Sequence, residues 1–162
     1  MANKATNIPA SVRARLLNRA RNKQRPFNEL LQYYAMERFL YRLSQSKHAD
    51  TFVLKGGLML QMWGGSLTRA TKDIDLHRAA PASVDELESV IRDCIGVEVE
   101  DDGLLFDAET VNGEQIRLDA QYDGVRIRFA GHLGNARVSV QVDVGFADII
   151  TPSAQPISYP TL

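Results

Sequence analysis

The sequence predicts an α+β domain of α/β character, with a mixed β-sheet flanked by helices and an N-terminal helical pair. Three observations predict it. Apolar residues recur at helical spacing through the first fifty residues, strand-like and helix-like stretches alternate in the middle, and period-two segments dominate the last third. The order of helices, then βαβα, then a β-rich run argues for a sheet with both parallel and antiparallel neighbours. At 162 residues, 44% of them apolar, the chain can bury one core.

Ser11 to Asn22 and Asn28 to Ser46 read as helices separated by Pro26, with Asn28 as a cap for the second. Leu30, Leu31, Tyr34, Phe39, Leu40 and Leu43 form that second helix's apolar stripe, which is core. Thr51 to Leu54 is a short β-branched apolar stretch ended by Gly56 and Gly57. Leu58 to Trp63 then offers Leu, Met, Leu and Met at the spacing of a buried helix face. Asp73 to Leu76 alternates acid and aliphatic side chains as an extended segment does. Ser83 to Cys94 reads as a helix capped by Ser83 and packed through Val84, Leu87, Val90 and Ile91. Strands are expected at Val97 to Glu100, Leu104 to Phe106, Gln115 to Leu118, Gly124 to Ala130 and Arg137 to Phe146. Residues 1–50 form the helical lead and 51–150 the core.

The segment from Lys55 to Leu76, KGGLMLQMWGGSLTRATKDIDL, carries most of the functional information. A strand that runs through two glycines into a helix leaves free backbone N–H groups at the positive helix end, and the glycines let an anion approach them. By itself such a turn more often binds nothing. Asp73 and Asp75 raise the odds: residues two apart on a strand share a face, so both carboxylates point one way while Ile74 and Leu76 point into the core. Adjacent carboxylates repel unless a cation lies between them, and a hard ion such as Mg²⁺ prefers oxygen ligands. An arbitrary D-x-D is as often an exposed edge strand. Here Arg69 and Lys72 bring two cations to the same place, which suits an anionic, metal-chelated substrate.

Phosphoryl chemistry on two ions calls for a third acid. Asp143, in VSVQVDVGF, lies on one face of a strongly alternating segment and is the preferred candidate. Asp119 lies near a turn with weaker alternation, and Asp148 has the setting of a loop or cap acid.

These motifs carry a resemblance. The lead-in Tyr33 to Leu43, FVLKGG, the Arg69/Thr71/Asp73/Asp75 run, DDGLLFD, YDGVRIRFAG and VQVDVGFAD together resemble, in the same order, the nucleotidyltransferase AbiEii/AbiGii toxin family of the polymerase-β-like nucleotidyltransferase superfamily. The resemblance covers most of the chain and implies a nucleotidyltransferase fold. It implies that Gly56 and Gly57 form the phosphate-binding turn and that Asp73, Asp75 and Asp143 are the catalytic, metal-binding carboxylates. Lys55, Arg69 and Thr71 would lie near the triphosphate. The implied cofactor is Mg²⁺ or Mn²⁺ and the substrate an NTP, with an RNA 3′ end, tRNA or other RNA, or a protein hydroxyl as acceptor. The implied setting is the toxin of a bacterial toxin–antitoxin or abortive-infection pair, with a cognate antitoxin as partner. At the turn Gly57 is followed by Leu58 where the superfamily often has serine, so no hydroxyl is offered there. Similar proteins continue into a helical half with a catalytic lysine, whereas this sequence stops at ISYPTL. Residues 151–162 therefore read as the start of that half in a truncated or shortened chain.

Net charge is −1, which implies no global attraction to nucleic acid or membrane. The first 25 residues nonetheless carry Lys4, Arg13, Arg15, Arg19, Arg21, Lys23 and Arg25 without an acid, a solvated helix face before it is an RNA or partner contact. Cys94 is the only cysteine, so an internal disulfide is excluded and a reducing cytoplasm is expected. His48, His77 and His132 are too scattered for a zinc site, and only His77 is expected near substrate. Two other function classes use the same residues. A small-molecule nucleotidyltransferase of the aminoglycoside-modifying kind would add an acidic pocket, for which the acids after Asp85 are candidates, and a non-catalytic module would only bind nucleotide or partner.

Overall fold

The computed structural model describes residues 7–55, 73–117 and 123–146. Within them the helices are α1 (Ile8–Lys23), α2 (Phe27–Gln45) and α3 (Val84–Ile95), and the strands are β1 (Phe52–Lys55), β2 (Asp73–Arg78), β3 (Leu104–Arg117), β4 (Asp123–Leu133) and β5 (Ala136–Phe146). The five strands form one sheet in the order β1-β2-β5-β4-β3. Only β2 and β5 run parallel; the other neighbours are antiparallel, so the α+β class and the mixed sheet are as expected.

The centre of the sheet follows from β5. Val138, Val140, Val142 and Val144 are all buried, and with Ile127 and Phe129 of β4 and Ile74 and Leu76 of β2 they join one core with the helices. α2 contributes Leu30, Leu31, Ala35, Met36, Phe39 and Leu43, α3 contributes Leu87, Val90, Ile91 and Cys94, and α1 adds the stripe Val12, Leu16 and Ala20. Phe39 and Phe129 meet with ring centroids 5.1 Å apart, and Phe106 stands edge-on to Phe129 at 5.4 Å. Gln32 donates from α2 to the Ser139 carbonyl at 2.8 Å, which ties the helix to β5. Cys94 is free and buried, and burial pushes its thiol up to about 11.

Several boundaries differ from those expected. α1 begins at Ile8 because the Asn7 side chain accepts from Ala10 N–H at 3.1 Å and Pro9 suits the first turn. Asn28 caps nothing: α2 starts at Phe27, and the Pro26 carbonyl accepts from Glu29 and Leu30. Ser83 does cap α3, accepting from Glu86 N–H at 3.1 Å. Val97 to Glu100 is not a strand. It alternates correctly, but the chain bends at Val97 and Glu100 and pairs with no strand among the described residues. The separate strands expected at Leu104–Phe106 and Gln115–Leu118 are parts of one strand, Leu104–Arg117, with a register shift between Asp107 and Asn112. Its polar middle hides it because an edge strand need not be apolar. β2 runs on through His77 and Arg78, so His77 lies within the acidic strand, buried at 5% exposure. The helix expected at Leu58–Trp63, and Asp119 and Asp148, fall outside the described residues.

Gly113 lets α3 rest on β3. A Cβ there would lie 2.7 Å from Ile127 Cδ1 and 2.8 Å from Val84 Cγ1, and Gly113 N–H donates to Glu88 Oε2 at 2.8 Å. Gly113→Ala is expected to destabilise the fold by about 1–3 kcal/mol, read as a lower urea midpoint at unchanged slope. A midpoint equal to that of the wild type would show that α3 can move aside.

Candidate active site: a charged row across four strands

Strand register assembles the site. Lys55 of β1 is the cross-strand neighbour of Asp75 on β2, Asp75 of Asp143 on β5, and Asp143 of Arg126 on β4. A row of cation, acid, acid, cation therefore crosses four strands over about 14 Å. Asp73 lies one row away on the same face of β2, beside Gln141 and Arg128. Ile74 and Leu76 are almost fully buried on the opposite face, which fixes the direction of the acids: a one-residue slip would bury the carboxylates and expose the aliphatics.

The electrostatics are those of crowded negative charge. Asp75 holds its proton more tightly than an ordinary carboxyl, first because burial disfavours the anion and then because Asp143 and Asp73 repel it; Lys55 and Arg126 offset only part of this. Asp143 is compensated differently. Arg126 donates to both its oxygens, Nε to Oδ1 at 2.9 Å and Nη2 to Oδ2 at 3.1 Å, a bidentate clamp on a side chain only 8% exposed. That clamp raises the affinity of Arg126 for its proton. Arg128 extends the pattern, with Nε to Gln141 Oε1 at 3.1 Å and Nη1 to Glu114 Oε1 at 3.3 Å.

Of the residues expected from sequence, Asp73, Asp75, Asp143 and Lys55 come together. Gly56, Gly57, Arg69 and Thr71 lie outside the described residues, so the phosphate-binding turn is not described. Among the described residues no three acid, histidine or cysteine side chains are grouped so as to hold a metal ion, and both Asp143 oxygens accept from Arg126. Of the acids after Asp85, Glu86 pairs with Arg78, Asp93 with His48 and Lys47, and Asp102 with Arg38 and Arg42, while Glu100, Asp101 and Asp102 line one cavity together with Arg15 and Arg38. Sequence reasoning missed Arg126. Its alternation with Val125 and Ile127 was legible, but its meeting with Asp143 depends on the β4–β5 register.

No described helix is long and apolar enough to cross a membrane. The comparison with curated protein sequences finds no match. Among solved structures, the chain is similar to JHP933 from Helicobacter pylori, at 14% identity and a TM-score of 0.45 over 76% of this chain; the match spans 46% of that protein, so this chain covers less than half of its length. Residues 38–162, more than three quarters of the chain, match the family described as nucleotidyl transferase AbiEii toxin, type IV toxin–antitoxin system. The chain belongs to the AbiEii nucleotidyl transferase toxin family.

Proposed function

We propose that this chain carries the nucleotide-transfer site of a toxin that moves an NMP from an NTP to a hydroxyl of RNA, such as a tRNA 3′ end, or of protein. The observation that supports it best is the register of Asp75 with Asp143 on adjacent parallel strands, with Asp73 two residues away on the same face. Three carboxylates form a hard oxygen donor set suited to Mg²⁺ or Mn²⁺; the proton affinity of Asp75 is raised first by burial and then by Asp143 and Asp73, and a cation would relieve that repulsion. Asp73, Asp75 and Asp143 would hold the ion, and when bound it supplies charge neutralisation on the phosphates and a template for in-line attack.

The chain's own residues do the rest. Lys55, at the end of β1 beside Asp75, offers a cation to the triphosphate, and Gly56 and Gly57 follow it as the turn on which the phosphates would rest. Arg69 and Thr71 are assigned to the same triphosphate. In the transfer, the acceptor oxygen bonds to the α-phosphorus, the bond to the bridging oxygen breaks, and pyrophosphate leaves. The hydroxyl proton passes to one of the carboxylates. The matched family's type IV toxin–antitoxin setting supports a cognate antitoxin as partner, and a single cysteine suits a reducing cytoplasm.

Incubating the chain with each α-labelled NTP, divalent ion, total RNA and total protein tests this. The expected outcome is label on one acceptor class, lost with chelator. Label on neither acceptor would overturn the reading in favour of a nucleotide- or partner-binding module.

A further inference from the structure

Asp143 faces two different partners along one row. On one side its cross-strand neighbour is Asp75, which repels it; on the other it is Arg126, whose guanidinium already engages both carboxylate oxygens. A divalent ion among the acids would meet that guanidinium at the same carboxylate. Two cations sharing one anion repel each other, and the remaining lone pairs of Asp143 are poorer ligands once both oxygens accept charge-assisted hydrogen bonds. The two partners are not equally free to give way. The Asp143 side chain is short and 8% exposed, held on the central strand of the five, whereas Arg126 is long and 30% exposed. The guanidinium can move toward solvent and the carboxylate cannot.

We propose that Arg126 competes with the divalent ion for Asp143, so that ion uptake displaces the guanidinium and Arg126 sets how tightly the acids bind the ion. The inference rests on the reading of Asp73, Asp75 and Asp143 as the ion's ligands. It makes Arg126 a positioning residue with a specific signature: removing it strengthens ion binding, where loss of a merely structural support would weaken it or leave it unchanged. Displacement also frees a guanidinium close to an anionic substrate, so ion and nucleotide would bind with positive coupling.

Titrating the full chain with Mn²⁺ alone, followed by calorimetry or by the electron paramagnetic resonance signal of free Mn²⁺, tests this with no reference to turnover. Arg126→Gln is expected to bind Mn²⁺ roughly tenfold more tightly than wild type, since an ionic hydrogen-bonded pair no longer has to be broken. Arg126→Lys, which retains the charge but not the fork, should fall between the two, and it carries the test if Arg126→Gln does not fold. Equal or weaker binding in these variants, with Asp75→Asn still abolishing it, would overturn the competition while leaving the ligand reading intact. Mn²⁺ binding that is unchanged in Asp75→Asn would overturn that reading and this inference with it.

Discussion

Asp75→Asn is expected to abolish nucleotide transfer, by about 10³-fold or more, while making the protein more stable. The loss follows because an amide carries no charge to hold a divalent ion, and ion catalysis of this kind supplies several kcal/mol of barrier lowering. The gain in stability follows from the charge row. Asp75 has burial, Asp143 and Asp73 against its ionised form, so its folded-state proton affinity exceeds that in the unfolded chain. Below the ordinary carboxylate range, about pH 3.9, the proton is bound in both states and Asp75 costs nothing. As pH rises through that range the unfolded chain ionises first and the folded state loses stability, and the full penalty is present once pH exceeds the raised folded-state value. The variant should therefore unfold at higher temperature than wild type at neutral pH, with chelator present, and the difference should vanish in acid. A variant within tenfold of wild-type transfer, or one less stable at pH 7, would remove Asp75 from the role given to it.

That opposition between activity and stability explains why the site was partly legible in the sequence. Asp73 and Asp75 break the apolar character of a strand whose alternate residues, Ile74 and Leu76, are buried, and such a local conflict is the signature of a functional position. Asp143 announced itself the same way within four alternating valines. What stayed hidden is what depends on partners distant in sequence. Arg126 reads as one more solvent-side arginine in VRIRF until the β4–β5 register places it against Asp143. Strand β3 was split in two by the polar stretch Asp107 to Asn112, because an edge strand with a register shift carries no apolar alternation to detect. Val97 to Glu100 failed in the opposite sense, with the right alternation but a bent backbone that pairs with no strand among the described residues. Period reveals which residues share a face; pairing decides what they face.

Asp102 was hidden for the same reason, and Asp102→Ala is expected to cost about 3–5 kcal/mol, the largest stability loss predicted for this chain. Asp102, 8% exposed, precedes β3 and is held by one stripe of α2. Arg42 donates to Oδ2 at 2.8 Å and to Oδ1 at 3.0 Å, Arg38 donates to Oδ2 at 2.8 Å, and the Tyr34 hydroxyl donates to the Asp102 carbonyl at 2.7 Å. Leu104 N–H adds a bond to Oδ1 at 3.1 Å. Tyr34, Arg38 and Arg42 are spaced four apart, so a single helix face delivers all three. Burial pushes Tyr34, with Asp102 adding to it, up to about 12, which keeps its hydroxyl a donor at any physiological pH. Removing the carboxylate leaves Arg42 buried without its anion, with the hydrogen bond from its Nη1 to the Arg38 carbonyl at 3.0 Å and the Phe106 ring 4.9 Å from its guanidinium as compensation. Burial alone would raise the Asp102 carboxyl, but the hydrogen bonds from Arg42 and Arg38 outweigh it and the net shift is downward. A depressed folded-state value means that the stabilisation is fully present above the unfolded carboxylate range and is lost as pH falls through it toward the folded value. Wild type should thus lose its advantage over Asp102→Asn as pH falls from about 5 through the ordinary carboxylate range toward the depressed folded-state value, measured by chemical unfolding at each pH. Combining Arg42→Met with Asp102→Ala should cost less than the two separate losses added together, because the second substitution removes a charge the first has left unpaired. Simple additivity would mean that the two ions do not stabilise one another, and the attachment of α2 to the start of β3 would then rest on Tyr34, Arg38 and apolar packing.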